Sequence, residues 1–196
     1  MATRHITHAS VGVEERDDGT PVITGYAAVF YQQGESGTEF ELMPGMVERI
    51  GRDAFTRAIS EGDDVRGLFN HDPTLILGRT KAGTMRLRVD DRGLRYEIDP
   101  PNTQFARDAI TSIRRGDVDG SSFSFNVRKE EFQHEEERAV RILQDVSLAD
   151  VGPVSFPAYG SASSGIRALP EEIEDVQARL DRWDLVSERL QELKAR

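Results

Sequence analysis

Two alternating runs on either side of a short turn constrain this chain more than any other feature. Met85, Leu87 and Val89 alternate with Arg86, Arg88 and Asp90; after Asp91-Arg92-Gly93, Leu94, Tyr96 and Ile98 alternate with Arg95, Glu97 and Asp99. Strand side chains point to opposite faces in turn, so period two on both sides of a glycine-bearing turn predicts a half-buried antiparallel hairpin. The chain must therefore build a sheet with one covered face.

The remaining segments extend that sheet. Residues 4–14 and 21–30 are rich in β-branched side chains and bracket Asp17-Asp18-Gly19-Thr20-Pro21, the bend of a second hairpin. Residues 118–130 and 139–149 read as two more strands, joined by the acidic connection 130–137. A helix is predicted over 53–61, with Ala54, Phe55, Ala58 and Ile59 on one stripe and Gly62 as its stop. Another spans 103–115, with Phe105, Ala106, Ala109, Ile110 and Ile113 on one face and Gly116 closing it.

The small-residue stretch Gly160-Ser161-Ala162-Ser163-Ser164-Gly165 reads as a linker. Beyond it, Pro170 opens an amphipathic helix with Ile173, Val176, Leu180, Trp183, Leu190 and Leu193 along one narrow stripe. That helix is either a docking element for a partner or a cap that folds back on the sheet. The organisation is mainly β with helices (α+β): a domain over 1–160, a flexible linker over 161–170 and a C-terminal helix over 171–196.

Composition narrows the chemistry. The formal net charge is -10, and that field repels phosphate backbones, so nucleic acid is not an expected partner. No apolar run approaches the roughly 20 residues of a membrane span. The opening Met1-Ala2-Thr3-Arg4-His5 lacks the apolar core of a secretory signal. The chain has no cysteine, which removes disulfides, thiolate nucleophiles and Cys-type zinc sites. A soluble protein of a reducing compartment is expected, with no cofactor.

The segment most suited to chemistry is Gly120-Ser121-Ser122-Phe123-Ser124-Phe125-Asn126-Val127. Phe123, Phe125 and Val127 go to a core, while Ser122, Ser124 and Asn126 share the other face, so buried phenyl rings would hold a hydroxyl at a fixed position. A serine nucleophile needs a base, and among the four histidines His71 is the best placed. It follows the apolar run Val65 to Phe69, whose strand delivers it to a sheet edge. His5 and His8 point to opposite faces of a predicted strand and lack a third metal ligand, and His134 sits in the acidic connection. The bland readings are a turn at His71-Asp72-Pro73 and ordinary exposed-strand serines. On the strand after the serines, Leu143, Asp145 and Ser147 share a face, and a hairpin would set some residue of 144–149 beside Ser122. Asp145 is thus the expected carboxylate, with a plain surface acid as its alternative. Gly78-Arg79-Thr80-Lys81-Ala82-Gly83 lacks the phosphate-loop pattern and reads as a turn.

Taken in order, several blocks resemble the prohead proteases of tailed bacteriophages, capsid-maturation serine peptidases related to herpesvirus assemblins. They are Gly25-Tyr26-Ala27-Ala28-Val29-Phe30, Glu48-Arg49-Ile50 with Asp53-Ala54-Phe55, Leu68-Phe69-Asn70-His71-Asp72, Leu77-Gly78-Arg79-Thr80, Gly93-Leu94-Arg95-Tyr96-Glu97, Arg115-Gly116-Asp117-Val118, Gly120-Ser121-Ser122-Phe123-Ser124-Phe125 and Val146-Ser147-Leu148-Ala149-Asp150 before Pro157-Ala158. The resemblance implies Ser122 as nucleophile and His71 as base. Ser124 stands where the family often has glycine. Assemblins use a second histidine as third member; no histidine falls on the strand after Ser122, so an acid must serve, Asp145 first, with Asp150 and Asp72 behind it.

The resemblance further implies an assemblin-like closed β-barrel surrounded by helices. The implied substrates are scaffold and capsid proteins inside the immature capsid, in the host cytoplasm. It also implies self-processing, for which Ser161 to Gly165 is the candidate region, and a homodimer. Two other readings stand beside it: a non-catalytic scaffold or assembly module with the same barrel, and an unrelated hydrolase that uses acidic residues.

Overall fold

The hairpin expected at 84–99 forms as β7 (Met85–Val89) and β8 (Gly93–Ile98) in the computed structural model of the chain, which describes residues 2–135, 138–155 and 170–194. Leu94, Tyr96 and Ile98 are fully buried, as their alternation requires. β8 pairs with β2 (Pro21–Val29), which forms the second expected hairpin with β1 (Ala2–Glu15). β1 then changes partner. Its later residues, Val11 to Glu15, pair with β2, while the backbone of Ala2 to Ile6 lies antiparallel to β9 (Gly120–Glu135), with an irregularity between Ile6 and Ser10.

β9 is the centre of the sheet, flanked on its other edge by β10 (Arg138–Val154). β10 in turn pairs in parallel with β4 (Met46–Ile50) near its start and with β5 (Arg66–Leu68) near its end. β3 (Phe40–Met43) adds to β4, and β6 (Ile76–Arg79) adds to β5. The strand order is β3-β4-β10-β9-β1-β2-β8-β7, with β5 and β6 as a branch.

This α+β sheet is not the closed barrel that the resemblance implied. The path begins at β3 and ends at β7, and among the described residues those two strands do not pair. The reason lies in β10, whose outer edge is divided between β4 and β5. The sheet forks there instead of curling back on itself.

A second correction concerns the acidic connection. Residues 130–135 belong to β9, and Glu135 pairs with Arg138, so the two long strands of 16 and 17 residues form one continuous hairpin. Glu130 and Glu135 do not need to avoid the sheet, because arginines meet them. Arg49 holds Glu135 at 2.6 Å and Arg141 holds Glu130 at 2.8 Å.

The main core lies between the sheet and two short helical segments. Of the predicted helix 53–61 only α1 (Thr56–Ser60) is helical, and Phe55 just before it is fully buried. α2 (Gln104–Arg115) matches its expectation. Thr103 accepts a hydrogen bond from the Ala106 amide, and Gly116 takes the left-handed conformation at φ 80° that ends the helix. Its buried face, Ala106, Ala109, Ile110 and Ile113, joins the core containing Phe123 and Phe125. Those two rings stack at 4.8 Å, and Phe55 meets Phe123 edge-on at 5.8 Å, which stiffens the segment carrying Ser122.

A second core forms where α3 (Pro170–Lys194) lies back on the far end of the hairpin. Val176 and Leu180 pack with Phe40, Leu42, Met46, Phe132 and Ala139, and Trp183 tilts over Phe132. The cap reading thus describes 176–183, while Leu185 and Val186 face outward. The linker expected over 161–170 falls outside the described residues except for Pro170, and so does the Ser161 to Gly165 region. Among the described residues no helix is long and apolar enough to cross a membrane.

Candidate active site

Ser122 and Ser124 project from β9 on the face opposite Ser121, Phe123 and Phe125, as the alternation requires. Both are buried. On the core face, Ser121 Oγ and Tyr96 Oη share a hydrogen bond at 2.7 Å, and burial pushes the Tyr96 phenol well above its ordinary pKa. The residue before the candidate nucleophile is therefore pinned from below by a neutral phenol.

His71 reaches Ser122 from the loop after β5. Its Nε2 lies 2.5 Å from Ser122 Oγ. Its Nδ1 meets Asp150 Oδ1 in a short contact and stands 3.1 Å from Ser124 Oγ. A carboxylate can only accept, so the Nδ1 proton is donated to Asp150, and Nε2 is left as the acceptor for the Ser122 hydroxyl.

The loop that presents the imidazole is strained. Asn70 and His71 have φ of 54° and 58°, two consecutive non-glycine residues in the left-handed region. Such residues cost on the order of 1–3 kcal/mol each and persist only where neighbours hold them. Here the neighbours are at the end of β10. The Asn70 amide donates to the Pro153 carbonyl at 2.9 Å, the Asn70 side-chain amide donates to Ser155 Oγ at 3.2 Å, and the Ser155 amide donates to Asn70 Oδ1 at 2.8 Å. Phe69 also packs edge-on against Phe105 of α2 at 5.8 Å. Removing the side-chain clamp should free the imidazole to wander. Asn70→Ala is expected to lower kcat/KM about 10- to 100-fold, the scale of a misplacement near 1 Å, with the folded state retained by circular dichroism.

Gly152 makes this junction of loop and strand fit. It stands opposite Ser122 in the hairpin register, and a Cβ there would lie 2.0 Å from the Leu68 carbonyl oxygen. Only glycine lets β5 come this close to β10, and that approach sets the distance from His71 to β9.

Asp145 is not at this site. Its carboxylate is gripped by Arg57 at 3.1 Å, with Arg128 at 3.4 Å, and it pairs with Lys129 in the register. Arg57 itself is held strongly in its charged form, by Asp63 first and by Glu61 and Asp145 as well. The expectation failed through register. The residue facing Ser122 is Gly152, not one of 144–149, because β9 continues to Glu135 and the pairing counts back from Glu135 and Arg138; the irregularity between Leu148 and Asp150 moves it by one residue more. Six residues of strand lie between Asp145 and Gly152, seven steps or about 23 Å at roughly 3.3 Å per residue.

Asp150, opposite Ser124, is the carboxylate at the imidazole. Asp72 is turned the other way: it accepts from the Thr74 hydroxyl and amide, which keep its carboxyl more acidic than usual. His134 pairs with Asp184 of α3 at 3.0 Å, far along the hairpin from Ser122.

The sequence reading ranked Asp150 second and assigned Asn70 no role. Val151 and Val154, both buried, carried the signal that the strand continues past Ala149. No sequence pattern announced the Asn70 clamp.

An alcohol, an imidazole and a buried carboxylate in one hydrogen-bonded line, carried by a strand, a strained loop and a neighbouring strand, form the arrangement of a serine hydrolase. The chain belongs to the caudovirus prohead serine proteases, whose family model matches residues 8–178 of its 196. Ser122, His71 and Asp150 all fall inside the matched region. Searches of the curated proteins and of the solved structures found no match.

Proposed function

We propose that this chain is a prohead endopeptidase in which Ser122 is the nucleophile, His71 the general base and Asp150 the carboxylate that fixes the tautomer of His71. The observation that carries the reading is the bipartite hold on one imidazole: Nε2 at 2.5 Å from Ser122 Oγ and Nδ1 against Asp150. His71 Nε2 takes the Ser122 proton as Oγ attacks a peptide carbonyl. The resulting imidazolium gives that proton to the departing amine, and the C–N bond breaks. Water, deprotonated by His71 in turn, then cleaves the acyl-enzyme and restores the Ser122 hydroxyl. Asp150 stays ionised and stabilises the imidazolium throughout.

The substrates are scaffold and capsid proteins within the immature capsid in the host cytoplasm, a reading that rests on the family. Self-processing and action as a homodimer belong to the same reading. Activity that rises more than linearly with enzyme concentration is the signature of the dimer.

Co-expression with the capsid and scaffold proteins tests the function. The wild-type chain should yield shortened products by mass, and Ser122→Ala should yield none. Intact partners with both chains, together with normal shell assembly that requires this chain, would favour the non-catalytic assembly module.

A further inference from the structure

We propose that Ser124 is a positioning residue for His71, holding the imidazole from the side opposite the nucleophile. The proposal rests on the reading of Ser122 and His71 as nucleophile and base. Ser124 is 1% exposed, and its Oγ lies 3.1 Å from His71 Nδ1. It also pairs directly with Asp150 in the hairpin register. The Nδ1 proton therefore has two acceptors, a carboxylate oxygen from β10 and a hydroxyl oxygen from β9.

Alternation along β9 explains the geometry. Ser122 and Ser124 are two residues apart on one face, so a single rigid strand meets both nitrogens of the ring, one serine at Nε2 and the other at Nδ1. The same geometry rules Ser124 out as the nucleophile. Its nearest nitrogen is the one whose proton goes to Asp150, whereas Ser122 faces the nitrogen left to accept one.

Two acceptors on one N–H tilt and lock the ring plane, and they favour the imidazolium, whose N–H donates more strongly than that of neutral imidazole. Two charged groups near the ring in the chain and register are engaged elsewhere. Asp72 on the same loop is held by Thr74, and Arg66, paired with Asp150 in the β5 register, is bonded to Asp64. Ser124 is thus the group on β9 that tunes the base from the nitrogen turned away from Ser122.

Removing the hydroxyl has a signed consequence. Losing a hydrogen bond that favours the charged form makes the imidazolium easier to deprotonate, so Ser124→Ala should move the acid limb of the kcat/KM profile to lower pH. The plateau should fall about 10-fold, the scale of one hydrogen bond to a charged group. Nuclear magnetic resonance titration of His71 supplies a readout that needs no turnover. In a Ser122→Ala background, adding Ser124→Ala should lower the titration midpoint of His71, and Ser124→Gly, as a second variant, should do the same.

An unmoved acid limb and an unmoved midpoint would overturn the proposal while leaving the protease reading intact. Proteolysis lost in Ser124→Ala but retained in Ser122→Ala would overturn it by making Ser124 the nucleophile. If the wild-type chain cleaves nothing, the protease reading fails on its own account. The midpoint shift then still decides whether Ser124 holds the ring.

Discussion

Asp150→Asn should lower kcat/KM for cleavage of the scaffold protein by about 10³- to 10⁴-fold, while Asp145→Asn leaves it within about twofold. The asymmetry follows from what each carboxylate touches. Asp150 is buried and accepts the Nδ1 proton of His71, so an amide in its place can donate to Nδ1 and drive the proton to Nε2. His71 would then point a proton at Ser122 and could not receive one. Asp145 is a partner of Arg57 and Arg128 on a more exposed part of the hairpin, where loss of one charge costs stability of about 1 kcal/mol or less and no chemistry. Steady-state kinetics of the two variants, with unfolding curves as a control, separates them. Equal losses would mean that the carboxylate contacting His71 is not its working partner.

The second large effect lies at the other end of the same hairpin. Arg141 is 3% exposed at its side chain and is bonded to Glu48 at 2.9 Å and Glu130 at 2.8 Å, while Arg179 of α3 reaches Glu130 from outside. Arg141→Ala removes the guanidinium that bridges two nearly buried carboxylates, Glu48 and Glu130, and leaves Arg179 on Glu130 alone. Breaking a buried pair from one side costs about 3–5 kcal/mol, a large part of the 5–15 kcal/mol stability of an ordinary domain. Thermal unfolding should fall by roughly 10 °C or more. The double variant Arg141→Met with Glu48→Leu should recover part of that loss, because the apolar pair removes the Glu48 charge while Arg179 still meets Glu130. A double variant no more stable than the single one would show that the network matters through something other than burial of charge.

The two cases bracket what could be read from the residues. Period-two alternation fixed the hairpin at 85–98 and the faces of β9, because a strand's side chains obey a local rule. Ser122 and His71 were legible for the same reason: one lies on a face set by Phe123 and Phe125, the other at the end of an apolar run. The carboxylate was not, since register is a long-range property. The hairpin turns only after Glu135, beyond the acidic run where the strand reads as ended, and an irregularity before Asp150 shifts the pairing by one more residue. Gly152 is there to admit the Leu68 carbonyl. The open, forked sheet was equally hidden. Whether the outer edge of β10 takes one neighbour or two depends on segments a hundred residues away in the chain. The left-handed Asn70 and His71 are held by tertiary hydrogen bonds against their own local preference, which is where sequence patterns carry least.

The account stands on Ser122 being the oxygen that His71 activates. A fluorophosphonate that phosphonylates activated serines with loss of fluoride, followed by peptide mass mapping, addresses that oxygen directly. The expected result is one adduct on the peptide containing 121–128, localised to Ser122, formed by the wild-type chain and lost in His71→Ala. An adduct localised to Ser124, or cleavage of scaffold that continues undiminished in Ser122→Ala, would contradict it.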